Sequence, residues 1–389
     1  MLSSSYNYTN HHYKPDSSFT SFSLDSNHPS SSIIINNSYL INGINIDKNN
    51  KQNEQSFVEL IKKEYGSKGV NLCGIINYGN NCYLNSGLQI LVSCENFTSE
   101  LNKTKSKVTP PLLRLTKDAM VKLSTEEVYD PKDFLLMFSR KNEEFCGVQS
   151  CSQNFIRTLL KNLNDELIPA KEYLIAKNEY YRPSSKKEND KYENFIYYNK
   201  IFQESSLLST FSGITKSYFK TNCTNLDCLQ DLEDFSFSYF IDQIMYLDEI
   251  KKKCKFSDVL NRNFKKNKLT MNCPNCGIQI EVEEETKIIK LPDILIFTLE
   301  RYQRGNNNVE IEPDIQIDMN NYSDTLDPWT KYELFAINIR FGNNPYFGHE
   351  ICQVKRCEQW FEFNDLIKGK RNKDHNNCSY GLFYKRIYK

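Results

Sequence analysis

The strongest constraint in this sequence is a change of period near Ser205. Before it, residues 112–123, 134–145 and 153–167 carry apolar side chains at helical spacing. The last stretch puts Phe155, Ile156, Leu159, Leu160, Leu163 and Leu167 on one face. After it, residues 207–219, 235–240, 278–289, 294–299, 332–341, 349–355 and 380–387 alternate or run together as strands do. Helices first and strands later predict an α+β fold, not a doubly wound sheet.

Composition narrows the setting. Residues 1–68 are rich in Ser, Asn and Tyr and offer little apolar surface to offset ordering entropy, so they read as a disordered extension ahead of a folded part from 69 to 389. The chain has 13 cysteines, and its N-terminus reads as no signal peptide, which points to free thiols or metal ligands in a reducing compartment. No stretch reads as membrane-spanning, and a net charge of zero gives no reason to expect nucleic acid or an anionic membrane as partner. Residues 178–195 look like an exposed insertion.

One cysteine is set apart by its surroundings. Gly79-Asn80-Asn81 forms a turn signal, and Cys82 opens a helix pattern carried by Tyr83, Leu84, Leu88, Ile90, Leu91 and Val92. A thiol at a helix start meets unpaired N–H groups and the positive end of the dipole, both of which favour thiolate. Upstream, Asn77 offers an amide to a developing oxyanion. Of the 5 histidines, only His349 and His375 lie in the part expected to fold. His349 opens a strand, and a following segment ends in Asn364-Asp365; on a hairpin, either residue can reach the imidazole and hold its tautomer. That is a Cys–His–Asn/Asp hydrolase pattern, with a thiol-rich zinc protein as the rival reading.

Two further cysteine pairs, Cys223/Cys228 and Cys273/Cys276, bracket turn residues at strand ends. Paired thiolates on two tight turns can converge on one tetrahedral zinc. With four protein ligands such a zinc would be structural. The bland alternative is four unrelated thiols.

Taken together, these stretches resemble the ubiquitin-specific proteases. Residues 74–89 match the cysteine box, usually Gly-Leu-x-Asn-x-Gly-Asn-Thr-Cys-Tyr-x-Asn-Ser-x-Leu-Gln, with Asn81 in place of Thr. Residues 332–336, Gly348-His349, Trp360 to Asp365 and residues 380–386 resemble the histidine box and last strand, and residues 291–302 resemble the strand Leu-Pro-x-x-Leu-Ile-x-x-Leu-x-Arg-Phe. The resemblance implies a papain-like fold with a thumb (about 69–204), zinc-bearing β fingers (about 205–290) and a β palm (about 291–389). It implies Cys82 as nucleophile, His349 as base, Asn364 as the residue orienting it, Asp365 as a second candidate for that role or for polarising water, and Asn77 as oxyanion donor. The implied substrate is the peptide or isopeptide bond after ubiquitin's C-terminal glycine.

Three positions depart from the pattern. Cys151 stands where a carboxylate facing the ubiquitin tail is expected, Glu350 follows the histidine where tyrosine is usual, and Arg340 replaces the histidine of a His-x-Gly. They leave room for a catalytically weak ubiquitin-binding scaffold, or for a protease of a ubiquitin-like modifier. Cytoplasm and nucleus are both compatible locations, and the sequence sets no oligomeric state.

Overall fold

A computed structural model describes residues 71–104, 110–168, 204–228, 231–248, 252–302, 309–342, 347–371 and 374–388, with isolated positions between them. The expected 1–68 extension and most of the 178–195 insertion lie outside the described residues.

The first half is helical, as the spacing predicts. Strand β1 (Gly74–Ile75) leads into α1 (Cys82–Val92), followed by α2 (Glu95–Lys103) and α3 (Pro111–Thr125). Strand β2 (Val128–Tyr129) pairs in parallel with β1 and precedes α4 (Lys132–Lys141) and α5 (Ser152–Leu167). Almost every residue of α1 is buried, polar ones included, so it is the central helix and not an amphipathic surface one. The expected helix over 134–145 breaks in two: Asn142 leaves helical geometry at φ −136°, and Glu143–Phe145 continues as a short 3₁₀ turn.

The strand half begins with a correction. Residues 206–209 form a helical turn, α6 (Ser206–Ser209), because the Ser205 hydroxyl accepts the Leu208 N–H and caps it. Strand geometry starts at β3 (Gly213–Asn222), which pairs with β4 (Asp231–Phe240). Next come β5 (Asp242–Tyr246), β6 (Lys253–Lys255), α7 (Phe256–Asn263), β7 (Asn267–Asn272) and β8 (Gln279–Lys290). The finger sheet runs β4-β3-β8-β7, so both of its hairpin turns lie at one end.

The remaining strands are β9 (Ile294–Glu300), β10 (Glu310–Glu312), β11 (Gln316–Asp318), β12 (Lys331–Phe341), β13 (His349–Arg356), β14 (Gln359–Asn364), β15 (Ile367–Lys370) and β16 (Ser379–Arg386). All of them except β10, which pairs with β6, join β5 in an 8-stranded palm sheet of order β15-β14-β13-β12-β16-β9-β5, with β11 on β12. The palm is covered on both faces. Ala336, Cys352, Val354 and Phe383 join the helices on one side, while Ile337, Ile351, Leu382 and Tyr384 pack with Phe256 and Leu260 of α7 on the other. Double burial explains the apolar run Ile294–Phe297 that opens β9. Between β13 and β14, Cys357 and Glu358 form a two-residue turn with φ 46° and 61°, closing the pair Arg356↔Gln359.

Phe155 is the hinge pin of the helical layer. It is fully buried, with its ring 5.0 Å from Phe138 and 6.2 Å from both Tyr83 and Phe134. Truncation there leaves a void the helices cannot fill, and Phe155→Ala is expected to cost about 3–5 kcal/mol in a urea titration. A loss below about 1 kcal/mol would show that the layer collapses around the gap.

Candidate active site

Cys82 reaches its place through a turn of asparagines. The Tyr78 N–H donates to Asn81 Oδ1 at 2.6 Å, and Asn81 Nδ2 donates to the Ile76 carbonyl at 3.1 Å and to Asn85 Oδ1 at 2.9 Å. Gly79 takes φ 115°, open to glycine and strained for other residues, while its N–H donates to Asn77 Oδ1 at 2.8 Å. Asn81 holds the N-cap position, yet its side chain braces the turn and does not cap the helix. The helix therefore opens on Cys82 with first-turn N–H groups uncapped by that side chain. The main-chain N–H groups of Glu350 and Tyr83 face the sulfur and favour its thiolate.

The electrostatic outcome differs from the expectation. The thiol is 3% exposed, and burial pushes it up to about 11, with the charges of Glu350 and Asp365 acting in the same direction. The two N–H groups pull it down by less. A helix start favours thiolate only where desolvation is small, and here it is not.

His349 opens β13. Gly348 before it is required by a close approach: a Cβ there would lie 2.6 Å from the Phe341 carbonyl oxygen on the neighbouring strand. The ring Nε2 sits 2.7 Å from Asn364 Oδ1. Since an amide oxygen only accepts, this contact holds the proton on Nε2 and turns Nδ1 into the ring's acceptor. Register explains the choice. Continuing the pairs Cys352↔Phe363 and Gln353↔Glu362 sets Asn364 opposite Ile351, on the same face as His349.

Asp365, the other candidate orienter, does not meet the imidazole. It turns away at φ 52°, and its carboxylate accepts from Asn77 Nδ2 at 2.8 Å and from Asn85 Nδ2 at 2.7 Å. Its carbonyl accepts the Ile75 N–H at 2.9 Å. Asp365 thus ties the end of the palm hairpin to the cysteine turn, and it commits one of the two amide hydrogens of Asn77. His375 is occupied elsewhere, 3.2 Å from Glu362 Oε2 and edge-on to Phe341.

The departures from the family pattern also find places. Cys151 is the N-cap of α5, its sulfur accepting the Asn154 N–H at 3.4 Å. The Glu350 carboxylate is turned to Arg340, 2.8 Å away.

The finger cysteines converge. Cys223, Cys228, Cys273 and Cys276 hold their sulfurs within 4.8 Å of one another, with Cys223–Cys276 at 3.5 Å and Cys228–Cys273 at 3.8 Å. These spacings are too long for disulfides and close to the edge of a tetrahedron with Zn–S near 2.3 Å, about 3.8 Å. Asn222↔Asp231 and Asn272↔Gln279 close the two hairpins just before the pairs, so sheet order alone brings the turns together. The cluster can hold a metal ion. The Ile278 N–H draws the Cys276 thiol down, toward the form a metal binds.

Comparison with known proteins agrees with this geometry. The family model for ubiquitin carboxyl-terminal hydrolase matches residues 73–384. The chain belongs to this family. As a ubiquitin carboxyl-terminal hydrolase it is a cysteine-type hydrolase, and it is similar to ubiquitin carboxyl-terminal hydrolase 4 of Arabidopsis thaliana. That relative is 24% identical over 326 residues, covering 77% of this chain and 85% of the relative. Among solved structures it resembles the SAGA Ubp8/Sgf11/Sus1/Sgf73 DUB module bound to ubiquitin aldehyde, at TM-score 0.60 and 21% identity, over 82% of this chain and 70% of that one. A cysteine-to-alanine variant of that module bound to monoubiquitin gives 0.61 and 20%, over 85% and 75%. These structures show the same fold.

Sequence reasoning passed over two residues of this hydrolase's site. Asn85, a polar residue one turn into an apolar helix, was the available signal for the Asp365 clasp. Ser152, which meets the Glu350 carboxylate at 2.6 Å, gave none.

The buried thiol makes a pH prediction. Below its raised value the thiolate fraction grows about tenfold per pH unit. Alkylation of Cys82 by iodoacetamide should therefore climb from about pH 6 to 9, followed by mass spectrometry of its peptide. A rate already level at pH 6 would contradict the burial argument.

Proposed function

We propose that this hydrolase cleaves the peptide or isopeptide bond after the C-terminal glycine of ubiquitin. The observation that carries the reading is the 2.7 Å contact of His349 with Asn364, on a strand whose next N–H faces the Cys82 sulfur. Cys82 is the nucleophile and His349 the base that takes its proton on Nδ1. The thiolate attacks the scissile carbonyl, and the second hydrogen of the Asn77 amide, with N–H groups at the helix start, stabilises the tetrahedral anion. His349 returns the proton to the leaving amine, then takes one from water, which hydrolyses the thioester. Asn364 holds the ring through both steps.

The raised Cys82 thiol and the loss of a carboxylate at Cys151 favour a second reading, a ubiquitin-binding scaffold of the same fold. A ubiquitin C-terminal electrophile separates the two. Labelling of the native protein but not of Cys82→Ala supports the hydrolase, as does turnover of a fluorogenic ubiquitin substrate lost in that variant. Binding without labelling would make it a scaffold. Labelling only by a related modifier's probe would reassign the substrate.

The finger cluster is proposed to hold a structural zinc. Its four sulfurs leave no position for substrate, so the ion would stiffen the finger tips and take no part in bond cleavage. Purified protein should carry a single zinc per chain, and prolonged chelation should lower the melting temperature. Zinc content near zero in active protein would remove the metal from the account.

A further inference from the structure

A carboxylate beside a nucleophilic thiol calls for explanation. Strand alternation sends the Glu350 side chain to the face opposite His349, against the helices, where it is fully buried. Oε1 accepts from Arg340 Nη1 at 2.8 Å, across the directly opposed pair Arg340↔Glu350 of β12 and β13. Oε2 accepts from the Ser152 N–H at 2.9 Å and from Asn338 Nδ2 at 3.1 Å, and lies 2.6 Å from Ser152 Oγ. Arg340 Nη1 also donates to the Ser150 carbonyl at 2.9 Å, and the guanidinium lies 5.7 and 5.9 Å from the rings of Tyr302 and Tyr380. One carboxylate thereby joins the start of α5 to the two central strands of the palm.

The same residue's N–H faces the Cys82 sulfur and favours its thiolate. Whatever fixes the Glu350 side chain also aims that N–H. The titratable groups that act on the sulfur are Glu350 on β13, Asp365 after β14 and Tyr83 on α1, with His349 as the proposed proton acceptor. Asp365 is held by neutral amides, so Arg340 is the cation that answers Glu350. A buried carboxylate without it would be costly in itself and would oppose a negative sulfur.

We propose that Arg340 and Glu350 act as one positioning unit for Cys82, the ion pair aiming the Glu350 N–H at the sulfur while Arg340 cancels the charge that opposes thiolate. Both positions depart from the family pattern, and the structure makes them cross-strand partners. The proposal rests on Cys82 as the nucleophile, but not on what it cleaves.

The test follows iodoacetamide alkylation of Cys82 against pH, by peptide mass spectrometry on the full chain, together with melting temperature. Arg340→Met strips the counter-charge and should raise the pH midpoint, slowing the reaction at neutral pH about tenfold per unit moved. Glu350→Gln keeps an acceptor for Ser152 and leaves Arg340 positive, so its midpoint should fall. The double variant R340M/E350Q removes both charges and should return close to the wild-type midpoint. A purely structural pair would lower the melting temperature in all three and leave these opposite shifts out. Unmoved midpoints, or shifts of one sign in both single variants, would overturn the proposal. If Arg340→Met does not fold, an unchanged or raised midpoint in Glu350→Gln is enough to do so. Because the probe is a small electrophile, failure of ubiquitin cleavage would count against the function and leave this result readable.

Discussion

The structure depends on one seam, where helix α1 lies across strand β13. The residues that meet there come from opposite ends of the chain, and much of the seam is polar. Arg356 of β13 donates to Gln89 Oε1 at 2.7 Å, to Ser93 Oγ at 2.8 Å and to the Asn71 carbonyl at 3.2 Å, with Phe363 beneath its guanidinium. Gln89 in turn donates to the Cys73 carbonyl at 2.7 Å. Buried polar groups are costly unless paired, so each of these bonds penalises any other placement of the helix. An apolar seam would hold as firmly and allow sliding. This one fixes the register of the helix against the strand.

Away from the seam, the helical layer and the palm are held by a second charged contact. Arg157 of α5 donates to Asp242 of β5 at 2.7 Å, and Asp242 also accepts from Thr298 of β9 at 2.8 Å. The palm is therefore gripped both at its centre and near its β5 edge. Among the described residues, no charged contact links the cysteine cluster to the palm, and its small apolar group includes Leu232, Ile280 and Val282. That separation is consistent with a metal that shapes the tips and leaves the chemistry to the palm.

Much of this was readable in the residues. Helices α3 and α5 follow from their period, because each buries one face, and strands β12, β13 and β16 from their β-rich apolar stretches, while α2 and α7 went unread. The helical turn at 206–209 was missed because apolar Leu207 and Leu208 outweighed the cap at Ser205. Asn364 and Asp365 could not be separated in sequence, since adjacent strand residues differ only in which face they take, and strand pairing decides that. Arg340 and Glu350 were the least legible. Charged residues in a strand read as solvated, and nothing in their spacing shows that they sit opposite each other in the core.

The two-residue turn at Cys357-Glu358 gains a meaning from this. It lies at the far end of the β13–β14 hairpin from His349, exposed, and touches nothing the reaction needs. Yet side chains alternate with a period of two, so the loop acts as a parity gauge for the active site. One residue inserted or removed there would swing Asn364 to the opposite face and bring its neighbours round in its place, with every local contact of the ring lost and the core composition unchanged. The hairpin tolerates substitution at its tip far better than it tolerates a change in length, and the catalytic geometry inherits that intolerance from a loop remote from the chemistry.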